Sequence, residues 1–219
     1  MQPMPEHRFF AAIYDQALAG VERAGLADLR AELLSEARGR TLELGAGTGH
    51  NLSHYPEAVT ELVLTEPDPH MARRLRARLE ETPPGPPVDV IEAPAEDLPF
   101  DDESFETVVA TLVLCTVEDP ARAVAEARRV LRPGGSLLFL EHVRSQRSGL
   151  ARWQDRVERP WGWVSGGCHP NRATDQLLAA AGFWIERLDR GTLKGGPPPI
   201  RPRIVGVARR PNSASDETA

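Results

Sequence analysis

Residues 42–51 read Leu-Glu-Leu-Gly-Ala-Gly-Thr-Gly-His-Asn, a short apolar run that opens into a glycine-rich loop, where we expect a first strand to turn into a helix. Glycine tolerates the positive φ angles of a sharp turn and lets the backbone come close to a ligand. The dinucleotide fingerprint G-x-G-x-x-G needs a glycine at position 50, where this chain has His50. The loop therefore indicates a nucleoside ligand that has no pyrophosphate.

An acidic residue follows the next apolar run. Glu66 comes directly after residues 61–65, which read as a buried strand. A carboxylate at the end of that strand can accept hydrogen bonds from both hydroxyl groups of a ribose. A glycine-rich turn alone is weak evidence, but the turn and this acid together favour a nucleoside-binding site.

Strand and helix patterns alternate along most of the chain. Helices are predicted over 6–37, from Asp68-Pro69 to the break at 82–87, from Asp119-Pro120 to the break at 133–135, and over 173–181, while 143–170 is predicted as less regular. Apolar runs predict strands at 40–44, 61–65, 88–92, 106–114, 136–141, 183–189 and 203–208. This alternation is typical of an α/β fold on a mostly parallel sheet.

Length and charge exclude several classes of protein. The chain has 219 residues, which is the size of one domain, and a formal net charge of −6. That charge gives no global case for binding nucleic acid or an anionic membrane. No apolar stretch approaches the roughly 20 residues needed to span a bilayer, and residues 1–10 lack the pattern of a secretory signal. We expect a cytoplasmic protein, monomeric or homodimeric, that acts without a membrane or a nucleic-acid partner.

The sequence predicts no metal site. The two cysteines, Cys115 and Cys168, form no disulfide framework or zinc motif by spacing. Cys115 lies in an apolar run and is expected to pack as a small core residue. The histidines at positions 7, 50, 54 and 70 also lack metal-ligand spacing.

Four motifs in order carry a resemblance to a known family. They are E-x-G-x-G-x-G at 43–49, EPD at 66–68, AEDLPFDDESFETVV at 95–109 and RVLRPGG at 129–135. Together they resemble the class I S-adenosylmethionine-dependent methyltransferases of the type 11 superfamily, over roughly residues 9–210. The resemblance implies one Rossmann-like domain with helices on both faces of a seven-stranded sheet. The implied strand order is 3-2-1-4-5-7-6, with the last strand antiparallel.

The same resemblance implies the domain limits. A single methyltransferase domain would span 1–210, with an N-terminal helical cap at 6–38 and an acceptor-side segment at 143–170. Residues 211–219 are expected to be a disordered tail.

The resemblance also implies a site for S-adenosyl-L-methionine, with S-adenosyl-L-homocysteine as the product. The loop 45–49 would pass beneath the methionine and ribose, Glu66 would hold the ribose, and Tyr14 would close over the methionine carboxylate. Many relatives carry Asp where this chain has Pro94, so Glu96 or the nearby backbone would replace that adenine contact. The full implied set is Tyr14, Glu43, Gly45, Ala46, Gly47, Gly49, Asn51, Glu66, Pro67, Ala95, Glu96, Thr111 and Leu112.

A closer resemblance lies in the second half of the chain. The motifs TLVLCTV at 111–117, LEHVR at 140–144, WQ at 153–154, GGC at 166–168 and the ending at 197–210 are similar to the methyltransferase-like seven group. Those small enzymes methylate alkyl thiols, which implies in-line methyl transfer to a small thiol here. Their eukaryotic members carry an N-terminal hydrophobic anchor; residues 1–10 show no such apolar stretch, so we do not expect membrane association to carry over. Transfer to O, N or C of a small metabolite or natural product, or cofactor binding without transfer, stays open.

The acceptor side has several candidate residues. His142 follows the fifth predicted strand, where a neutral imidazole would act as a general base or simply bond to backbone. Trp161, Trp163, Cys168 and His169 are candidates for binding the acceptor. The tryptophans, with Trp153, would form an apolar wall or cover a small core. Because displacement on a sulfonium needs no enzyme-bound methyl group, Cys168 is expected to shape the acceptor mouth, not to carry the methyl.

Overall fold

The protein is described by a computed structural model that covers residues 15–16, 18–81 and 85–212. Across these residues, seven strands form one sheet in the order β3-β2-β1-β4-β5-β7-β6. Neighbouring strands are parallel from β3 to β5, and β7 runs antiparallel to both β5 and β6. The strands are β1 Gly39–Leu44, β2 Val59–Thr65, β3 Val88–Ile91, β4 Phe105–Thr111, β5 Leu131–His142, β6 Trp184–Thr192 and β7 Pro202–Arg209. The order implied by the sequence motifs is confirmed.

The sheet is covered on both faces. Alternate residues of each central strand enter different hydrophobic clusters, Val108 and Phe139 on one face and Val109 and Leu138 on the other. Strands buried on both faces are typical of parallel sheets. The helices are α1 Ala27–Leu34, which follows a π-helical turn Glu22–Leu26, then α2 Pro69–Glu81, α3 Pro120–Val130, α4 Ser148–Val164 and α5 Thr174–Ala180.

Two helices begin at the Asp-Pro pairs that the sequence identified. The Asp68 side chain accepts the backbone N–H groups of His70 and Met71, and the Asp119 side chain accepts those of Ala121 and Arg122. In both cases the aspartate satisfies N–H groups that have no partner within the helix. Within the described residues, no helix combines the length and the apolar character that crossing a membrane requires.

The segment 143–170 is more regular than the sequence predicted. It contains α4, which runs for 17 residues through Pro160. Proline and glycine lower helix propensity, which explains the prediction. The helix forms although it contains these residues, and it buries Ala151 and Gln154 on one face.

Three local predictions also need correction. Strand β4 ends at Thr111, because Leu112 has a φ of 60° and turns the chain. Strand β5 starts at Leu131, and the expected break at 133–135 falls in a register irregularity of that strand. The glycine loop is followed by turns and a short 3-10 helix, Leu52–His54, instead of an α-helix.

Candidate functional site

The glycine loop follows β1 and has a free face at its centre. Gly45, Gly47 and Gly49 have φ angles of 56°, 58° and 85°. A Cβ atom at Gly45 would collide with Val113, and one at Gly49 would lie 2.8 Å from carbon atoms of Leu52 and of a residue in α2. A Cβ atom at Gly47 would meet no atom of the described residues within 4 Å. The outer glycines are therefore needed for packing inside the protein, whereas Gly47 leaves room for a ligand.

Glu66 holds this loop from the neighbouring strand. Its Oε2 accepts the backbone N–H of Gly47 at 2.8 Å, and its Oε1 accepts the N–H of Asp68 at 2.9 Å. Burial raises the pKa of Glu66, and the two backbone N–H groups oppose that rise. The carboxylate thus lies beside the open face of the loop, where the sequence predicted contact with a ribose.

A buried polar network lies behind the loop. The Glu43 carboxylate accepts hydrogen bonds from the Tyr55 hydroxyl at 2.6 Å and from the Asn51 amide at 2.9 Å. Arg30 Nη1 donates to Asn51 Oδ1 and to Thr111 Oγ1, both at 2.9 Å. Burial raises the pKa of Glu43 to about 7, although the Tyr55 hydroxyl and the Arg30 charge oppose the rise. The network joins α1 to the carboxyl ends of β1 and β4.

Sequence reasoning singled out Glu43, Asn51 and Thr111 but not Arg30 or Tyr55. Arg30 lies in a helical segment, and arginine is common throughout the chain: of the 26 lysines and arginines, 25 are arginines. Only its burial, at 3% exposure, distinguishes it from surface arginines. Arg30 therefore gave no signal in the sequence.

The remaining cofactor candidates are placed as follows. Ala95 is buried, and Pro67 is exposed directly after Glu66. The Glu96 carboxylate accepts the N–H groups of residues 118 and 119, at 2.8 and 3.2 Å, which ties it to the start of α3. Leu112 donates its N–H to the Leu140 carbonyl at 2.8 Å. Tyr14 lies outside the described residues.

Two cysteines and a histidine meet on the acceptor side. His142 ends β5, Cys115 follows β4, and Cys168 lies between α4 and α5. His142 Nδ1 is 3.8 Å from Cys115 Sγ and 3.7 Å from Cys168 Sγ, and all three residues are buried. Sequence reasoning treated the three separately, because 27 and 26 residues separate His142 from the two cysteines.

The two thiols affect each other's ionisation in opposite directions. A hydrogen bond from Cys115, together with His142, lowers the pKa of Cys168 to about 5, although burial opposes this shift. The interaction with Cys168 and burial raise the pKa of Cys115 well above its usual value. The interaction between the two thiols, together with His142, therefore favours the thiolate form of Cys168 over that of Cys115.

Glu141 shapes the turn that carries Cys115. Its Oε1 accepts the N–H groups of Val113 and Leu114 at 2.9 and 2.8 Å, and its Oε2 accepts that of Cys115 at 3.1 Å. Burial raises the pKa of Glu141 to about 7, against the effect of these N–H groups. The sequence placed Glu141 at the end of an apolar strand and within the LEHVR motif but indicated no role for its side chain, so this contact was missed.

Gln154 fixes the acceptor-side segment. Its side chain is fully buried, and Nε2 lies within 3.1 Å of the carbonyl oxygens of Val143, Pro170 and Pro199. Its Oε1 accepts the N–H of Ser145 at 2.8 Å. The WQ motif therefore contributes a residue that holds α4 against three other segments.

The predicted acceptor residues divide into two groups. Trp161 is half-buried, whereas Trp163 is 88% exposed and lies at the surface instead of in the wall of a pocket. His169 Nδ1 is 2.7 Å from Glu158 Oε1, so its imidazole is engaged there. Its backbone N–H donates to the Cys115 carbonyl at 2.7 Å, which joins the loop of Cys168 to the turn after β4.

Comparisons with known proteins agree with this geometry. The family model described as "Methyltransferase domain" matches residues 42–139. Thiol S-methyltransferase TMT1B of Homo sapiens is 36% identical over 81% of this chain and 76% of its own length. The chain belongs to the S-adenosylmethionine-dependent methyltransferases. A second human relative of this methyltransferase, thiol S-methyltransferase TMT1A, is 30% identical over 91% of the chain and 82% of its own length.

A solved structure supports the fold of this methyltransferase. A SAM-dependent methyltransferase of Thermotoga maritima, titled a possible histamine N-methyltransferase, aligns with a TM-score of 0.67 at 24% identity. The alignment covers 93% of this chain and 97% of that one. The methyl donor of this methyltransferase is S-adenosyl-L-methionine. The open face of Gly47 and the Glu66 carboxylate beside it fit that cofactor.

Proposed function

We propose that this methyltransferase transfers the methyl group to the sulfur atom of a small uncharged thiol. The observation that carries the proposal is its similarity to two human thiol S-methyltransferases over most of their length. The buried group of Cys115, His142 and Cys168 supports it, because it places sulfur and imidazole at the carboxyl ends of β4 and β5. This is the edge of the sheet that also carries the glycine loop.

The cofactor side needs no covalent chemistry from the protein. S-adenosylmethionine supplies a methyl group on a positively charged sulfur, which makes that methyl reactive toward a thiolate. The residues proposed to hold it are Glu66 for the ribose hydroxyls and the loop around Gly47 for close backbone approach. Ala95, Glu96, Thr111 and Leu112 are proposed to line the adenine and methyl sides.

The acceptor side must remove a proton. A free thiol has a pKa of about 8.5 and is mostly protonated at neutral pH, whereas the thiolate is the nucleophile. In the transfer a bond forms between the acceptor sulfur and the methyl carbon, and the bond from that carbon to the sulfonium sulfur breaks. The electron pair of the broken bond stays on the cofactor sulfur. His142 is the proposed acceptor of the thiol proton in a protein that holds no metal ion at this site.

Half-buried Trp161, with Cys168 and His169, is proposed to form the acceptor side of the site. An apolar wall with few polar groups suits an uncharged small molecule. We also propose that the protein acts in the cytoplasm on free small molecules, as a monomer or homodimer. The net charge of −6 disfavours nucleic acid as an acceptor.

The test is a panel of matched acceptors with the full-length protein and S-adenosylmethionine. Propanethiol, propanol and propylamine share one carbon skeleton, as do benzenethiol, phenol and aniline, so only the accepting atom differs. Mass spectrometry of the products should show S-methylation of the thiols at rates above those of their oxygen and nitrogen counterparts. Faster methylation of an amine or a phenol would contradict the proposal.

A further inference from the structure

We propose that Cys115, His142 and Cys168 form a binding site for a thiophilic divalent metal ion, with zinc as the first candidate. Nδ1 of His142 and the two sulfur atoms all lie within 4.8 Å of one another. Zinc binds cysteine sulfur at about 2.3 Å and histidine nitrogen at about 2.0–2.1 Å, so ligand atoms around a tetrahedral ion lie about 3.5–3.8 Å apart. The two nitrogen–sulfur distances here are 3.8 and 3.7 Å.

Each ligand lies on backbone that other contacts hold in place. Three N–H groups bound to Glu141 fix the turn that carries Cys115. His142 lies in β5 and pairs with Arg203 of the antiparallel strand β7. The N–H of His169 fixes the loop that carries Cys168 by donating to the Cys115 carbonyl. A metal ion would therefore meet ligands that are already assembled.

The surroundings suit two thiolates and one divalent ion, which together are neutral. The Glu141 carboxylate already accepts three N–H groups, among them that of Cys115, so we do not include it among the metal ligands. The guanidinium of Arg172 donates to the carbonyls of Leu114 and Val117. The buried indole N–H of Trp161 lies near the Cys168 thiol and forms no other hydrogen bond among the described residues. Such an N–H group can support a metal-bound thiolate from outside the ligand set.

Two cysteines and one histidine fill three of four tetrahedral positions. Structural zinc sites use four protein ligands, whereas catalytic sites use three and keep one position for water or substrate. Resting on the proposed function, the fourth position takes the acceptor thiol. The acceptor sulfur forms a bond to the metal in place of a water molecule, and the S–H proton leaves to bulk water. His142 is then a metal ligand instead of a base.

The first experiment measures metal directly. The full-length protein is produced in zinc-supplemented medium, purified with a phosphine reductant and analysed by plasma mass spectrometry. Cobalt(II) is then exchanged for zinc to give visible d–d bands and a near-ultraviolet thiolate-to-cobalt band. We expect one zinc per chain and the thiolate band in the wild-type protein. Cys115→Ser and Cys168→Ser should each lower zinc affinity by about 100-fold or more, because even residues outside the ligand set contribute about 10- to 100-fold.

The matched control is His70→Gln, in the first turn of α2, which should bind zinc as the wild-type protein does. Calorimetry with S-adenosylhomocysteine shows whether each variant is folded. The cobalt spectrum of the wild-type protein tests the metal site even if the variants do not fold. A wild-type protein with neither zinc nor a thiolate-to-cobalt band would overturn the proposal. A Cys115–Cys168 disulfide that persists in the zinc-supplemented protein despite the phosphine reductant would also overturn it.

The second experiment tests the open position without methyl transfer. Propanethiol is titrated into the cobalt-substituted protein in the absence of S-adenosylmethionine, with propanol as the control. An increase in the thiolate-to-cobalt band with the thiol alone supports coordination of the acceptor. An unchanged thiolate-to-cobalt band would overturn coordination of the acceptor by the metal, whether or not the protein methylates thiols. A spectral response to the thiol in a protein that methylates only amines would retain the metal site and reject the proposed function.

Discussion

The Glu66 carboxylate accepts the backbone N–H of Gly47 at 2.8 Å, so the acid that follows β2 supports the centre of the loop that follows β1. The carboxylate is buried, and each of its oxygens accepts one backbone N–H group. A carboxylate oxygen has a further lone pair available for a ligand hydroxyl. We therefore propose that cofactor binding depends on Glu66 both directly and through the position of the loop.

Replacing Glu66 should weaken the cofactor site. In Glu66→Ala we expect the affinity for S-adenosylmethionine to fall by about 1–3 kcal/mol, the usual cost of leaving buried hydrogen-bonding groups without a partner. Isothermal titration calorimetry measures the change. Glu61→Ala is the matched control, because Glu61 lies on the same strand in a surface ion pair with Arg40. Unchanged affinity in Glu66→Ala would remove Glu66 from the cofactor site.

Two glycines of the loop should respond differently to alanine. Gly45→Ala and Gly47→Ala both carry the backbone cost of a positive φ, about 1–2 kcal/mol. Gly45→Ala adds a collision with Val113 and should lose more free energy of unfolding. Gly47→Ala has no neighbour to strain and should instead lose cofactor affinity. Urea denaturation and calorimetry on both variants check this, and equal cofactor affinities in the two would contradict it.

Glu43 should make stability depend on pH. Burial raises its pKa to about 7 in the folded protein, from its usual value of 4.5. The unfolded chain therefore releases this proton first, and the stability due to protonated Glu43 is full below about pH 4.5 and lost as the pH rises through 7. The loss is at most about 3–4 kcal/mol, since one pKa unit corresponds to about 1.4 kcal/mol.

The Glu43→Gln variant isolates this effect. Glutamine cannot ionise, so the difference in unfolding free energy between the two proteins should change between pH 4.5 and 7, with the wild-type protein losing more. Denaturant titrations at a series of pH values measure that difference. A difference that stays constant with pH would show that Glu43 is ionised throughout.

Arg30 should be important for stability. Its guanidinium is buried and bonded to Glu22, Asn51 and Thr111. Removing one partner from a buried charged group costs about 3–5 kcal/mol, because the remaining polar groups lose their partners. We expect a loss of that order in Arg30→Met by urea denaturation. Arg23→Met, on the exposed side of the same helical region, should change stability by less than about 1 kcal/mol.

Most of the fold could be predicted from the sequence because its signals are local. Asp68-Pro69 and Asp119-Pro120 mark helix starts through side-chain caps that the structure contains. Helix α4 was missed, since Pro160 and the glycines near it lower the propensity of a segment that tertiary contacts of Gln154 hold in place. Local propensity carries no information about such contacts.

The candidate site likewise contains some residues that could be predicted from the sequence and some that could not. Glu66 and the glycine loop could be predicted, because they lie in short motifs at the ends of neighbouring strands. Arg30 and the grouping of Cys115 with Cys168 could not be predicted, because their partners are distant in sequence. The relevant separations are 81 residues from Arg30 to Thr111 and 26 from His142 to Cys168. Only the folded sheet brings these groups within reach of each other.

Leu112, where β4 ends, has consequences for how this protein can evolve. A residue with a side chain at a φ of 60° carries a conformational penalty that glycine would avoid. Substitution by glycine would relieve that penalty but remove a side chain that packs against one of the two hydrophobic clusters. Relieving the backbone at this position and keeping that packing are therefore opposing selective demands. Engineering for thermal tolerance should leave this leucine in place and seek its gains elsewhere on the scaffold.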